Sequence, residues 1–160
     1  MTGGQPGGAR MREIAAQRLA ALRAMRTLSA EEPRVLAAVD AAARGEIGQG
    51  AADELVASHL SARDACIAAM RAHDEEWRTL AQGAPGWSAD DAEAITGLSR
   101  ESLALLAEID ASDARFAAEL VARRSSASSE LARADSARAA QRAYGAGGSP
   151  NAPRFTDRRG

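Results

Sequence analysis

The chain has 160 residues, of which 46% are hydrophobic and only 3% aromatic, and its formal net charge at pH 7 is −2. This length predicts a single domain, and the short apolar runs exclude a membrane-spanning helix. Cys66 is the only cysteine, so the chain forms no intrachain disulfide. Because the start of the chain also lacks a secretory pattern, we expect a cytoplasmic protein.

Alanine dominates the composition, with 41 positions. It favours helices because its side chain loses no conformational entropy on folding. It also makes a thin core, since a methyl group buries little apolar area. The sequence therefore predicts an all-α protein of long helices with low intrinsic stability. Association with a partner, or with a second copy as a homodimer, would add stability.

Charge is distributed unevenly along the chain. Residues 1–30 carry five arginines and one acid, a net charge of +4, and residues 31–119 carry 18 acids and seven arginines, a net charge of −11. Residues 120–160 carry eight arginines and three acids, a net charge of +5. The basic ends either complement helix C-termini or dock on an acidic partner.

The first helix is predicted over residues 10–44, after a Gly-rich segment, 1–9, that we expect to be disordered. Four large apolar side chains share one helical face: Met11, Ile14, Leu22 and Met25. Ser29 and Glu32 have the spacing of a capping box, and Pro33 follows them. Either a new helix starts at Ser29 or one helix kinks at Pro33. The kink is favoured because the apolar stripe resumes on nearly the same side.

The second helix is predicted over residues 51–82, after a Gly-rich turn at 45–50. His59, Cys66 and His73 repeat every seven residues on its apolar face. Positions seven apart are separated by about 10.5 Å along a helix, whereas zinc ligands lie about 2 Å from one ion. We therefore expect no metal site. The histidines are predicted to be satisfied or half-exposed on a core face, and Cys66 to be a small buried apolar residue.

The third helix is predicted over residues 88–144, with Ser88 as its N-cap and acids in its first turn. A heptad-like seam supports it: Ile95, Leu98, Ser102, Leu105, Ile109, Ser112 and Phe116. From Arg123 onward the residues are mainly Ala, Ser and Arg, and Leu131 is the lone large aliphatic side chain. A helix over the whole range is about 85 Å long, so its C-terminal part either extends past the bundle or frays. Residues 145–160 are expected to be a disordered tail.

The chain shows no pattern that predicts chemistry. It has no Glu-x-x-His pair, phosphate loop, dinucleotide fingerprint or nucleophile elbow. The acidic isoelectric point of about 5.7 and the lack of stacking aromatics before Tyr144 argue against nucleic-acid binding. We therefore expect a binding protein that is not an enzyme and needs no cofactor.

The end of the third helix resembles a known family. Residues 144–148, Tyr-Gly-Ala-Gly-Gly, are similar to the Tyr-Gly-Ala-x-Gly motif that follows the last helix of FlgN-type flagellar export chaperones. Further upstream, the acidic pair 31–32, the glycine break at 45–47 and the segment 105–109 resemble the family's helical hairpin and the start of its final helix. Asp110 and Asp113 stand where the family usually has Asn. The resemblance covers roughly residues 12–148.

The resemblance implies a function as well as a fold of three long antiparallel helices in a coiled-coil-like bundle. Such chaperones bind the C-terminal helical regions of hook-associated (hook-filament junction) proteins and deliver them to the gate of the flagellar type III secretion apparatus. The implied contacts with the substrate helix are Phe116, Leu120, Ala127 and Leu131. Tyr144, followed by Gly145, is the implied contact with the export gate. The alternative is a self-associating helical-hairpin scaffold or adaptor without an export role.

Overall fold

The computed structural model describes residues 6–83 and 87–145, which form three helices and no strand. They are α1, Pro6–Ala43, α2, Gln49–Gln82, and α3, Ala89–Gly145. The all-α prediction with three long helices is thus confirmed. The chain divides into two units, Met1–Glu119 and Leu120–Gly160, so α3 contributes to both.

The three helices of the first unit run up, down and up. Ion pairs join Arg10 near the start of α1 to Glu76 near the end of α2, and Arg63 to Glu32, so these two helices are antiparallel. Arg12 of α1 lies 3.4 Å from Asp91 at the start of α3. Arg26 pairs further along with Glu108 at 2.8 Å, so α1 and α3 are parallel.

The helix α1 begins at Pro6, four residues before the predicted start at residue 10. Residues 6–9 are therefore helical and not disordered, whereas residues 1–5 lie outside the described part. A proline suits the first helical turn because its missing N–H has no intrahelical acceptor there. Gly8 is buried, and a Cβ on it would lie 2.6 Å from Asp91 Oδ2. The absence of a side chain at Gly8 thus allows α1 to approach the start of α3.

Pro33 lies inside α1, which continues to Ala43 as one helix. The alternative of a new helix starting at Ser29 is therefore wrong. Val35 and Leu36 are buried beyond the proline, so the apolar stripe resumes as predicted. Ser29 and Glu32 do not cap a helix end. Both are buried within α1 and contact the other helices.

The turn between α1 and α2 ends α1 with a Schellman motif. Gly45 has a φ of 74°, and its N–H donates to the Ala42 carbonyl at 3.0 Å while the Glu46 N–H donates to the Ala41 carbonyl at 2.9 Å. Glycine suits this left-handed conformation because it has no Cβ. Arg44 donates to both carboxylate oxygens of Glu46, at 2.5 and 2.9 Å. These hydrogen bonds hold the pKa of Glu46 below its ordinary value.

The predicted cap of α3 is confirmed. The Asp91 N–H donates to Ser88 Oγ at 3.1 Å, and Ser88 Oγ donates back to Asp91 Oδ2 at 2.7 Å. Asp90 and Asp91 both lie in the first turn, where a negative charge is stabilised by the helix dipole. Trp87 precedes the cap, and its ring makes an edge-to-face contact with Trp77 of α2 at 6.3 Å.

The core of the first unit is built mainly from α1 and α3. Its central cluster consists of Leu19, Leu22, Met25, Leu105 and Ile109. The helix α2 contributes partly buried side chains to this cluster, among them Cys66, Ile67 and Met70. The predicted stripes of the first and third helices are thus confirmed, and Cys66 is half-buried rather than fully buried.

The second unit contains the C-terminal part of α3. Its described residues, 120–145, continue α3 as a helix, so of the two alternatives the structure shows the continued helix. From Leu120 to Tyr144, every side chain except that of Arg123 is exposed. This part of α3 is thus a helix whose side chains are available to solvent.

Candidate helix-binding surface

The structure divides the predicted substrate contacts between the two units. Phe116 belongs to the first unit, where it is half-buried and its ring centroid lies 6.0 Å from that of His59. Leu120, Ala127 and Leu131 belong to the second unit and are exposed. Phe116 therefore packs within the bundle, and the other three carry the free apolar surface.

These three side chains share one face of the helix. At 100° per residue, Leu120, Ala127 and Leu131 fall within an arc of about 40°. Leu131 is 67% exposed and Leu120 is 40% exposed. Val121 is 68% exposed as well, but it points about 100° away from Leu120. We call the face defined by Leu120, Ala127 and Leu131 the apolar stripe.

Basic side chains continue the apolar stripe toward the end of α3. Arg124, Arg138 and Arg142 lie within about 40° of the direction of Leu120, and all three are exposed. Arg138 makes a weak local pair with Asp135 at 3.5 Å, and both side chains are largely exposed. An exposed pair of this kind contributes little to stability and leaves the guanidinium accessible. The surface therefore carries one cation beside its apolar side chains and two further cations toward its end.

Two serines of this segment bond to their own helix. Ser129 Oγ donates to the Ser125 carbonyl at 3.0 Å, and Ser136 Oγ donates to the Ala132 carbonyl at 2.9 Å. These hydroxyls are thereby satisfied locally, although serine is a weaker helix former than alanine. The segment presents alanine methyls and satisfied hydroxyls, a smooth surface that another helix can approach closely.

Tyr144 lies on a different face from the apolar stripe. It is 87% exposed, and its direction differs from that of Leu131 by about 140°. Gly145 is the last residue of α3, and the rest of the predicted motif, residues 146–148, lies outside the described part of the chain. Two partners could therefore contact the stripe and Tyr144 without competing for the same face.

A buried polar cluster joins the three helices of the first unit. Arg63 of α2 donates to Glu32 Oε1 at 2.8 Å and Ser29 Oγ at 3.0 Å on α1, and to Asp113 Oδ1 at 2.5 Å on α3. Ser112 Oγ donates to Glu32 Oε2 at 2.9 Å. The side chains of Arg63 and Glu32 are 13% and 5% exposed, respectively. Both charges are thus paired and hydrogen-bonded inside the bundle.

This cluster was not predicted, although the sequence carries a signal for it. Ser29 and Glu32 continue the spacing of the apolar face of α1, and Arg63 lies between apolar positions of α2. Ser112 is a polar position within the seam of α3. Polar residues that interrupt an apolar face at one level of all three helices indicate a buried network.

A cavity of about 190 Å³ lies among the three helices of the first unit. Each helix contributes to its lining, which consists of Ile14, Ala15, Arg18, His73, Asp74, Trp77, Ser99, Ser102, Leu103 and Leu106. Among these residues, the Arg18 guanidinium pairs with the Asp74 carboxylate at 3.3 Å. The cavity thus combines an aromatic and aliphatic wall with hydroxyl and charged groups.

The two histidines have different environments. His59 is buried, and within the described part of the chain neither ring nitrogen has a hydrogen-bond partner. The prediction of a satisfied or half-exposed histidine is therefore wrong for His59, whose contact is with the Phe116 ring. His73 is half-buried, as predicted, and lines the cavity. In residues 6–83 and 87–145, no group of three or more His, Cys, Asp or Glu side chains is arranged to hold a metal ion.

None of the described helices is both long and apolar enough to cross a membrane. Comparisons with family models, with curated proteins and with solved structures find no match to this chain.

Proposed function

We propose that this protein is a cytoplasmic flagellar export chaperone of the FlgN type, which binds a helix of its substrate and has no catalytic role. The observation that carries the proposal is the fully helical but exposed end of α3, with an apolar stripe of Leu120, Ala127 and Leu131. A helix that exposes such a stripe is suited to pair with an amphipathic partner helix.

The proposed substrate is the C-terminal helical region of a hook-associated protein. The stripe packs against the apolar side chains of that helix. Arg138 and Arg142 favour acidic residues on the part of the substrate helix that faces them, because opposite charges attract across an interface. Binding holds the substrate unassembled by mass action, since the bound surface is unavailable for polymerisation.

The proposed contact with the export gate is Tyr144. It is exposed, and it lies about 140° around the helix from the stripe. These two features support simultaneous binding, in which the stripe holds the substrate while the gate contacts the tyrosine. Tyrosine suits such a contact because it combines a large apolar ring with one hydrogen-bonding group.

Substrate binding is tested with the full-length protein and the purified C-terminal fragment of a hook-associated protein. We expect Leu131→Asp, which places a charge on the stripe, to weaken binding at least about tenfold. Val121→Asp is the matched control, because it places the same charge on an equally exposed position off the stripe. Equal affinities of the two variants for the fragment would refute the assignment of the stripe.

The gate contact is tested by Tyr144→Ala in the full chain. We expect unchanged affinity for the substrate fragment and reduced secretion of the substrate from cells. Normal secretion by this variant would remove Tyr144 from the proposal. If the purified chain binds no hook-associated fragment but assembles with itself through residues 120–145, the protein is the alternative scaffold.

A further inference from the structure

The cavity of the first unit has the size and lining of a site for one phenol side chain. Its volume is about 190 Å³, and an apolar cavity of about 150 Å³ holds benzene. Trp77 and Leu106 supply apolar walls, whereas Ser99, Ser102 and Asp74 supply polar groups. A buried tyrosine hydroxyl needs a hydrogen-bond partner, so this lining suits tyrosine better than phenylalanine or leucine.

The lining of the cavity is partly accessible to solvent. Ile14 and Ala15 of α1 are buried, whereas Arg18 of α1 has a side chain that is 43% exposed and pairs with Asp74 at 3.3 Å. Ser99 and Leu103 of α3 are exposed, and Leu103 is 67% exposed. A side chain from another molecule can therefore contact the lining from solvent.

The first unit carries an excess of acids. Residues 1–119 have 19 acids and 12 arginines, a net charge of −7. Residues 120–145, by contrast, have five arginines and two acids, a net charge of +3. The first unit of one copy and the end of α3 of another are thus complementary in net charge, which favours their association.

We propose that Tyr144 of one copy of this chain docks in the cavity of a second copy. Tyr144 is the only tyrosine of the chain, it is 87% exposed, and it lies in the basic segment. Arg142 beside it adds to the attraction between this basic segment and the acidic first unit of the second copy. The ring occupies the space beside Trp77, and its hydroxyl bonds to the polar groups of the lining.

This contact joins two different surfaces, so it is heterologous and the copies associate head to tail. Each copy still has a free tyrosine or a free cavity, which lets further copies add or close a ring. One consequence rests on the proposed function: if Tyr144 is the gate contact, self-association hides it from the gate.

The test is the association state of the purified full-length protein, measured by sedimentation velocity over a range of concentrations. We expect association that rises with concentration and weakens as salt is added, because salt screens the opposite charges. A contact made within one chain would show no dependence on concentration. A monomer throughout the range would overturn the proposal.

Two variants separate the donor from the acceptor of the contact. Tyr144→Ala removes the ring, and Ser99→Trp, at an exposed position of the lining, obstructs the cavity. We expect each to weaken association about tenfold or more. The matched controls, Val121→Ala on the same helix and Ser61→Trp on an exposed site outside the lining, should associate as the unchanged chain does. Unchanged association of either test variant would contradict the proposal.

A mixture of the two variants tests directly whether the tyrosine of one copy enters the cavity of another. Tyr144→Ala keeps its cavity and Ser99→Trp keeps its tyrosine, so an equimolar mixture should form pairs although neither variant associates alone. Circular dichroism of each variant confirms that it is folded. A mixture that stays monomeric, with both variants folded, would refute docking between copies. Because no substrate is present, this outcome is independent of whether the chain binds hook-associated proteins.

Discussion

Arg63 is the residue on which the interior of the bundle depends most. Its guanidinium bonds to α1 and α3 from α2, and its partner Glu32 is almost fully buried. A buried ion pair can contribute little net stability, because desolvation of two charges offsets their attraction. Removal of one partner is more costly, since it leaves the other charge buried without compensation.

We therefore expect Arg63→Met to lower the free energy of unfolding by about 3–5 kcal/mol. The double variant Glu32→Leu with Arg63→Met removes both charges, and we expect its stability to lie within about 1 kcal/mol of the unchanged protein or above it. Asp113 is 44% exposed at its side chain and stays solvated in both variants. Urea denaturation measures the difference. A double variant as unstable as the single one would show that the pair itself stabilises the fold.

Substitution of two glycines by alanine is expected to change the stability in opposite directions. Gly45 has a φ of 74°, so Gly45→Ala should lower the free energy of unfolding by about 1 kcal/mol. Gly97 lies inside α3, and a Cβ there meets no atom within 4 Å. Gly97→Ala should therefore raise the stability by about 0.5–1 kcal/mol, because alanine is the better helix former. Thermal unfolding of the two variants should shift in opposite directions, and shifts of the same sign would contradict this assignment.

The long-range partners of these residues could not be predicted from the sequence. The spacing of Ser29 and Glu32 is that of a helix start. They are interior partners of Arg63 only because α2 and α3 pack against this part of α1. Gly45 and the cap at Ser88 were predictable, because the turn and cap rules are local in sequence. The exposed stripe was predictable in part: its composition is local, but the assignment of Phe116 to the bundle depends on His59 of another helix.

At the scale of the helix, α1 tolerates a proline that interrupts its hydrogen bonding. Pro33 has no N–H, so the carbonyl of Ser29 lacks its usual intrahelical donor. The helix nevertheless continues to Ala43, because Val35 and Leu36 are buried beyond the proline. Packing of the apolar stripe thus overrides the local preference, which is why the sequence left two alternatives at this point.

Pro33→Ala should stabilise the protein by about 1–3 kcal/mol, since it restores one hydrogen bond and removes the poorest helix former. Pro33 is exposed, so its ring contributes little to the core. Arg34→Ala, a neighbouring exposed substitution, is the control and should change the stability by less than about 0.5 kcal/mol. Chemical denaturation measures both. A loss of stability in Pro33→Ala would mean that the proline sets a helix shape that the packing requires.

At the scale of the whole molecule, buried side chains are distributed unevenly between the two units. The buried residues of the core all belong to the first unit, whereas residues 120–144 bury none among those described. A helix without packed side chains is held by its own hydrogen bonds and by the helix propensity of alanine, which give marginal stability in water.

The fold class could be predicted from composition and periodicity. The use of the exposed helix could be proposed only through the terminal motif.

Amide hydrogen exchange should therefore divide the chain at about the start of the second unit. We expect amides of residues 122–143 to exchange through local opening, far faster than those of residues 98–110, which exchange near the limit of global unfolding. Addition of a substrate helix should slow exchange in the first of these segments and leave the second nearly unchanged. Equal protection of both segments in the free protein would show that the exposed helix is already packed against another surface.

The polar cluster around Arg63 also determines how the helices are aligned. Helices rich in alanine have shallow surfaces, so a slip by one turn would exchange one set of methyl contacts for another at little cost. Such a slip moves a helix by about 5.4 Å and would separate Arg63 from Glu32 or Asp113. The separated charges would then lie in the interior without partners, at a cost that small apolar contacts cannot offset. The cluster thus specifies one register among many that the apolar residues alone would accept.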